Sequence, residues 1–296
     1  MLNAISVDVE EYFHAAIFRS GTRAAGRAPF ESRVERSVDL LLSILSLSGT
    51  KGTFFTLGEI AAGHPSVVRR ISAEGHEIAC HGDCHDDVCS MSRREFRADI
   101  RRAKSRIEDL VGEPVIGYRA PNFSIRADQS WAYEILMEEG FRYDSSTFPI
   151  LHDRYGHPSA PRFPYGIWRS GLAWLTEFPI STARILGVNL PIGGGGYFRL
   201  SPFELIRRGI RHVNTHDRQP VMFYFHPWEL DPDQPRPPMA WRHRFRHYVG
   251  LETEALKLRL LLSLFNFGTA RAVLERRESK VESFEAADDP MSVVTA

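Results

Sequence analysis

Residues 51–85, KGTFFTLGEIAAGHPSVVRRISAEGHEIACHGDCH, decide the fold. They read as a short apolar strand (51–58), a helix over 59–74 stopped by Gly75, and a second strand, HEIAC (76–80). Glycine belongs just past a helix end, where a left-handed residue closes the last turn. Strand, helix and strand of these lengths make a parallel pair covered by its own crossover.

The same rhythm extends in both directions. LNAISVDV (2–9) reads as a buried strand ending in acids, and 34–48 as a helix ending at Gly49. Downstream come a helix over 92–110, strand VIGYR (115–119), a helix over 128–139 and strand FRYDS (141–145). Between 147 and 200 the rhythm fails in Pro, Gly and aromatic residues, which predicts an irregular insertion near the site. It resumes with a helix over 202–214, strand PVMFYFH (220–226), a Pro-rich loop (227–238) and an amphipathic helix near 251–264. The acidic, small-residue tail beyond about 277 reads as disordered, leaving one folded unit over 1–276.

An open sheet and a barrel share this alternation. Chemistry-bearing side chains separate them, because Asp8, His81, Arg119, Asp144 and His226 fall at the C-terminal ends of different strands. That is where a β/α barrel collects its site, whereas an open sheet gathers ligands at one switch point. The expected class is therefore α/β with a barrel.

Composition narrows function by exclusion. The 296 residues carry 37 Lys plus Arg against 37 Asp plus Glu, so no global field favours nucleic acid or an anionic membrane. The longest apolar run, near Leu40 to Leu47, is too short to span a bilayer, and no signal peptide is visible. The three cysteines, Cys80, Cys84 and Cys89, lie within ten positions, which does not suggest a secreted disulfide framework. A cytoplasmic location is expected.

The Cys/His loop offers two i, i+4 pairs, Cys80 with Cys84 and His81 with His85. The spacing would stack the imidazoles on one side of a helical turn, but no Glu follows the first His, so the segment is not HExxH. The thiols read as packing residues, and C-x3-C-x4-C misses the cluster-binding spacing of radical enzymes. In SVDVEEYF, residues two apart face the same side of a strand, so Asp8 and Glu10 point together while Val7 and Val9 face the other layer. Arg119 before Pro121 can clamp a carboxylate. His226 follows a buried strand and is read as structural or catalytic. Gly193–Gly196 lacks the Lys-Ser/Thr of a phosphate loop and reads as a flexible turn.

Together these stretches resemble the polysaccharide deacetylase family, the NodB-like carbohydrate esterases, whose motifs lie along a distorted (β/α)7 TIM-like barrel. SVDVEEY, HGDCH, RAPNF, a YDSS segment and FYFHPW occur in the family's order. DVEEYFH, GTFFTLG, GYRAPNFSI, FRYDSSTFPILHDRYG, GGGGYFRL and HPWELDPDQPR look like the subfamily associated with exosortase and exopolysaccharide gene clusters, over about residues 3–275.

The resemblance implies Asp8 as general base, His81 and His85 as metal ligands, Arg119 holding the base and His226 as general acid. Asp144 lies near the acidic position that orients that histidine. Val9 stands where many members carry a second Asp, so Glu10 is the expected third ligand and Glu11 the alternative. Tyr118, Pro121, Asn122 and Trp228 are expected to bind substrate, Tyr118 and Trp228 by stacking on sugar rings. The cofactor implied is a divalent metal, Zn2+ first, with Co, Ni, Mn or Fe as alternatives. The implied substrate is an N-acetylated glycan, with an exopolysaccharide synthesis machinery as partner and nucleic acid excluded. Two rivals share the motifs: an amidohydrolase of small molecules, which a narrow closed pocket would favour, and a metal-free carbohydrate-binding scaffold.

Overall fold

A computed structural model describes residues 1–15, 18, 30–152, 155–168 and 174–287. The first half alternates β1 (Leu2–Val9), α1 (Val34–Leu47), β2 (Thr53–Thr56), α2 (Gly58–Gly63), α3 (Pro65–Ala73), β3 (Glu77–Cys80), α4 (Arg93–Val111), β4 (Gly117–Tyr118), α5 (Trp131–Glu138) and β5 (Tyr143–Asp144). There follow β6 (Tyr165–Trp168), β7 (Trp174–Glu177), β8 (Thr182–Ile185), β9 (Val188–Pro191), α6 (Gly196–Leu200), α7 (Phe203–His212) and β10 (Met222–Phe225). The chain closes with α8 (Trp241–Tyr248), α9 (Leu251–Leu264), β11 (Asn266–Gly268) and α10 (Ala270–Ala287).

Seven parallel strands lie in the order β10-β1-β2-β3-β4-β5-β7, with β6 antiparallel outside β7 and β11 against the start of β1. The sheet curls until its ends are bridged by backbone hydrogen bonds. Ser181 N donates to Met222 O (3.2 Å), Tyr224 N to Gly193 O (2.7 Å) and Gly195 N to Tyr224 O (2.9 Å). The result is a distorted, partly open barrel, in the α/β barrel class that the sequence predicts.

Period-two side chains sort the strands into two cores. Ala4, Phe55, Ala79, Met222 and Tyr224 face the barrel interior, which Ala270, Val273 and Leu274 of α10 plug at one end. Ile5, Val7, Val9, Phe54, Ile78, Cys80, Phe223 and Phe225 face the surrounding helices. Each such buried side chain contributes roughly 1.5–3 kcal/mol. The plug is also hydrogen-bonded: Ala270 N donates to Thr53 Oγ1 (2.7 Å) and Arg271 N to Glu77 Oε2 (3.1 Å), at the starts of β2 and β3. That leaves the opposite, C-terminal end of the strands free for the site.

Three expectations need correction. The helix over 59–74 is two helices, because Pro65 lacks an N–H and holds His64 out of helical geometry (φ −133°, ψ 55°). The segment 147–200 is more regular than its composition suggests, since it supplies β6 and β7 to the main sheet and the β8–β9 hairpin beside it. Residues 277–287, expected to be unstructured, continue α10, while 288–296 lie outside the described residues.

Gly193–Gly195 is no flexible turn. Gly194 has φ +112°, and a Cβ there would overlap Tyr224 O, so only glycine lets this backbone lie against β10.

Candidate active site

The site gathers at the C-terminal ends of β1, β3, β4 and β10. Asp8 and Glu10 both turn inward from the end of β1, while Val7 and Val9 pack outward. At the end of β3 the same alternation separates the two pairs of the Cys/His loop. Cys80 faces the helices and is fully buried, and burial pushes its thiol far up. Cys84 is exposed, and burial of its sulfur region and the neighbouring Asp83 raise its thiol to about 11. Neither sulfur is a ready thiolate.

His81 faces inward, and His85 returns to it. The return is not a helical turn: Gly82 (φ +81°) and His85 (φ +57°) are both left-handed, and residues 81–87 hold no helix. Behind this loop Asp83 is clamped by Arg102 (2.9 Å) and Arg106 (2.6 Å), and its N–H donates to Asp99 (3.0 Å). The His81 and His85 rings end 5.4 Å apart. His81 Nδ1–H donates to Arg119 O (2.8 Å), which leaves the Nε2 lone pair free for the groove. Burial drives His81 down to about 4, so it is neutral and able to ligate. His14 stacks on His85 (5.5 Å, 14°) and is itself held by Glu59 (3.0 Å).

Ligand atoms of Glu10, His81 and His85 lie within 4.8 Å of one another, and all three residues are buried. Glu10 Oε2 is 2.5 Å from His85 Nε2, while Oε1 accepts from Trp228 Nε1 (3.0 Å). Burial opposes ionisation of Glu10, yet His85 and His226 outweigh it and hold the carboxyl well below its ordinary value. Two imidazoles and one carboxylate, all buried and converging, form a donor set that fits a divalent transition metal. Glu11 points elsewhere. Its carboxylate accepts from Ser32 Oγ and from the N–H groups of Arg33 (3.0 Å) and Val34 (3.3 Å), capping the start of α1.

Arg119 is fully buried against the barrel interior. It donates to Asp8 (2.6 Å), to Ser145 O (3.1 Å) and to Ser145 Oγ (2.9 Å), and its guanidinium lies 4.1 Å over the Phe55 ring. Asp8 thus has one fixed oxygen, and the other lies 3.9 Å from His226 Nε2.

His226 follows β10 with Nε2 3.6 Å from Glu10 and Nδ1 3.2 Å from Glu229. Pro227 starts a one-turn 3-10 helix, in which residues i and i+3 eclipse, and this puts Glu229 under the imidazole. Glu229 is in turn paired with buried Arg199 (2.7 Å), which also donates to His247 O (2.7 Å) and Val249 O (3.0 Å). Burial alone would lower His226, but Glu10, Glu229 and Asp8 together raise it to about 9. It is therefore an imidazolium at neutral pH.

Asp144 does not orient His226. It hydrogen-bonds Ser146 Oγ (2.6 Å) and Glu177 inside the barrel wall, where burial and Asp144 push Glu177 well above the usual carboxylate range. Glu229 occupies the position expected of it. Tyr118 is fully buried between Phe96 and Phe141 on the outer layer, and Pro121 packs near Gly82, so neither lines the groove. Asn122 and Trp228 do, within a groove of about 500 Å³ that also exposes Phe123, Tyr155 and Tyr224. Asn122 and Phe123 are left-handed (φ 53° and 52°), and Asn122 Nδ2 ties the turn to Asp87 (2.7 Å). The Pro227 turn could have disclosed Glu229; nothing in the sequence pattern marks Arg199.

Residues 29–136 match the family model described as polysaccharide deacetylase, and residues 145–275 match one described as a domain of unknown function, DUF3473. The first match spans His81, His85 and Arg119; the second spans Arg199, His226 and Glu229. A peptidoglycan deacetylase-like protein of Gibberella zeae is 33% identical over 119 residues, 40% of this chain and 34% of that protein. A peptidoglycan-N-acetylglucosamine deacetylase of Bacillus cereus is 34% identical over 95 residues, 32% of this chain and 34% of that protein. The chain thus spans about a third of the length of these relatives. The crystal structure of a polysaccharide deacetylase from Mycobacterium smegmatis shares the fold, with a TM-score of 0.60 at 19% identity, covering 95% of this chain and 90% of that one. Family model and relatives support the polysaccharide deacetylase family.

Proposed function

We propose that the chain is a metal-dependent hydrolase that removes N-acetyl groups from an N-acetylated polysaccharide or its precursor. One observation carries this reading: Glu10, His81 and His85 converge within 4.8 Å beside a carboxylate fixed by Arg119 and an imidazolium fixed by Glu229. A divalent cation, Zn2+ first by donor type and Co, Ni, Mn or Fe as alternatives, would be held by Glu10, His81 and His85 and would supply Lewis acidity toward the amide carbonyl and water.

The chain's own groups divide the proton work. Asp8 takes a proton from the attacking water, and Arg119 keeps that carboxylate aimed. His226 gives its Nε2 proton to the leaving nitrogen as the C–N bond breaks, releasing acetate and a free amino sugar. Glu229, backed by Arg199, holds the imidazole by Nδ1 and keeps it charged until that moment. Asn122 lines the groove as a sugar contact and Tyr155 adds an aromatic wall, whereas Trp228, expected to stack on sugar, is buried with His226 and His247 stacked on it. Exposed Arg126 and Arg246 leave the groove open at its rim, which suits a polymer better than a small closed-in amide. An exopolysaccharide as the polymer rests on the sequence resemblance.

Metal analysis tests the ligand set apart from turnover. Glu10→Gln and His81→Ala proteins dialysed against Zn2+ should retain none, whereas the Cys80→Ser/Cys84→Ser protein should retain one equivalent. Zinc lost from the cysteine variant and kept by the other two would overturn the assignment.

A further inference from the structure

Beside the groove one helix has its first turns exposed on every side. In α8 all six residues from Trp241 to Arg246 are exposed, and only His247 and Tyr248 are buried. A helix lying flat on a body hides one stripe along its length, so the first turns of α8 project into solvent. Trp241 is 74% exposed and Phe245 56%, and their i, i+4 spacing makes them one outward apolar ridge. Arg242 and Arg246 form the adjacent ridge by the same spacing, and Arg244 lies between turns.

The charge around this ridge has one sign. From Gln234 to Leu251 the sequence holds Arg236, Arg242, Arg244 and Arg246 and no Asp or Glu, although the whole chain is balanced. The acids just before it are spoken for, Asp231 by Arg33 (2.5 Å) and Asp233 by Arg36 (3.5 Å). Arg242 and Arg244 have no acidic partner among the described residues.

We infer that α8 is an interfacial anchor that lays Trp241 and Phe245 into an anionic lipid bilayer, with Arg242 and Arg244 on the headgroups, and so holds the groove mouth at a membrane surface. Aromatic rings beside arginines on a projecting helix have the composition of a segment that lies in the headgroup layer. Trp241 and Phe245 do not line the groove, whereas Arg246 and His247 of the same helix do. A platform for a bound sugar chain would put its rings in the groove lining; these lie outside it. The inference goes beyond the deacetylase reading and stands without it. Among the described residues no helix is long and apolar enough to cross a membrane, so the contact is peripheral.

Co-sedimentation of the full chain with phosphatidylglycerol vesicles, phosphatidylcholine vesicles and soluble alginate tests this without measuring turnover. The chain should bind phosphatidylglycerol and leave phosphatidylcholine. Trp241→Ser/Phe245→Ser should weaken that binding at least about tenfold. Arg242→Gln/Arg244→Gln should weaken it roughly fivefold per charge and flatten its salt dependence. Both variants should keep the wild-type melting temperature, since all four side chains are exposed. Equal binding to the two lipids, no binding to either, or phosphatidylglycerol binding untouched by both variants overturns the proposal. So does binding to alginate with the vesicles left free, which would make the ridge a polyanionic-glycan surface.

Discussion

Replacing Glu229 by Gln isolates what holds His226 charged. In the metal-free protein His226 sits at about 9 because Glu10, Glu229 and Asp8 outweigh its burial. Glu229 contacts Nδ1 at 3.2 Å, nearer than Glu10 (3.6 Å) or Asp8 (3.9 Å) approach Nε2. At an effective dielectric of about 20, a full charge at that distance interacts by roughly 5 kcal/mol, an upper bound of nearly four pKa units. Gln keeps an acceptor for Nδ1–H, and Arg199 loses its counter-charge and adds repulsion. A fall of about two to four units follows, from about 9 to near or below 7. The sign on stability is fixed. A raised folded-state value means that stability is full below the unfolded value of about 6.5 and is lost as pH climbs through about 9. NMR titration of His226 in chelator-treated protein reads the shift, and urea unfolding between pH 6 and 9 reads the slope, which the variant should flatten. A titration midpoint that moves by less than about half a unit would show that Glu229 is not what charges His226.

Three further outcomes follow from single contacts. Gly194→Ala should cost about 3–5 kcal/mol in urea unfolding, because the overlap with Tyr224 O breaks two barrel-closing hydrogen bonds in a glycine-only conformation; a loss under about 1 kcal/mol would contradict the role given to the glycine run. His76, lowered to about 4 by burial and Lys51, accepts from Gly52 N through Nδ1 (3.1 Å) and must stay neutral. Its depressed value means that stability is full above about 6.5 and lost as pH falls toward 4, up to about 2 kcal/mol between pH 7 and 5; His76→Gln should flatten that slope in melting curves. Asp144→Asn should leave the His226 titration unmoved in the same NMR experiment, because Asp144 is bound to Ser146 and Glu177.

Local pattern carried much of this fold. Gly49, Gly75, Gly112 and Gly140 end predicted helices, and each is left-handed in the structure. Period two in β1 was enough to set Asp8 and Glu10 on one face and Val7 and Val9 on the other. What escaped depends on partners distant in sequence. β7 is recognisable only through pairing with β5 and the edge strand β6 only through pairing with β7, and Gly193–Gly195 lies along β10 only because Tyr224 is beside it. Tyr118 differs from expectation by one residue of alternation: its neighbour Arg119 takes the inward face, so Tyr118 must pack outward. Asp144 was chosen for its position at a strand end, yet the short 3-10 turn after His226 delivers Glu229 from only three residues away. The choice between Glu10 and Glu11 likewise needed the start of α1, whose free N–H groups claim Glu11.

In the proposed reaction Asp8, fixed by Arg119, is the base, and the metal is held elsewhere, by Glu10, His81 and His85. Acetate release from N-acetylated oligosaccharide by Zn2+-loaded Asp8→Asn protein, with its zinc content measured in the same sample, separates the two roles. The variant should retain one equivalent of zinc and release acetate about 10²–10⁴-fold more slowly than the unaltered chain. Acetate release at near the unaltered rate, with the zinc in place, would contradict Asp8 as the base.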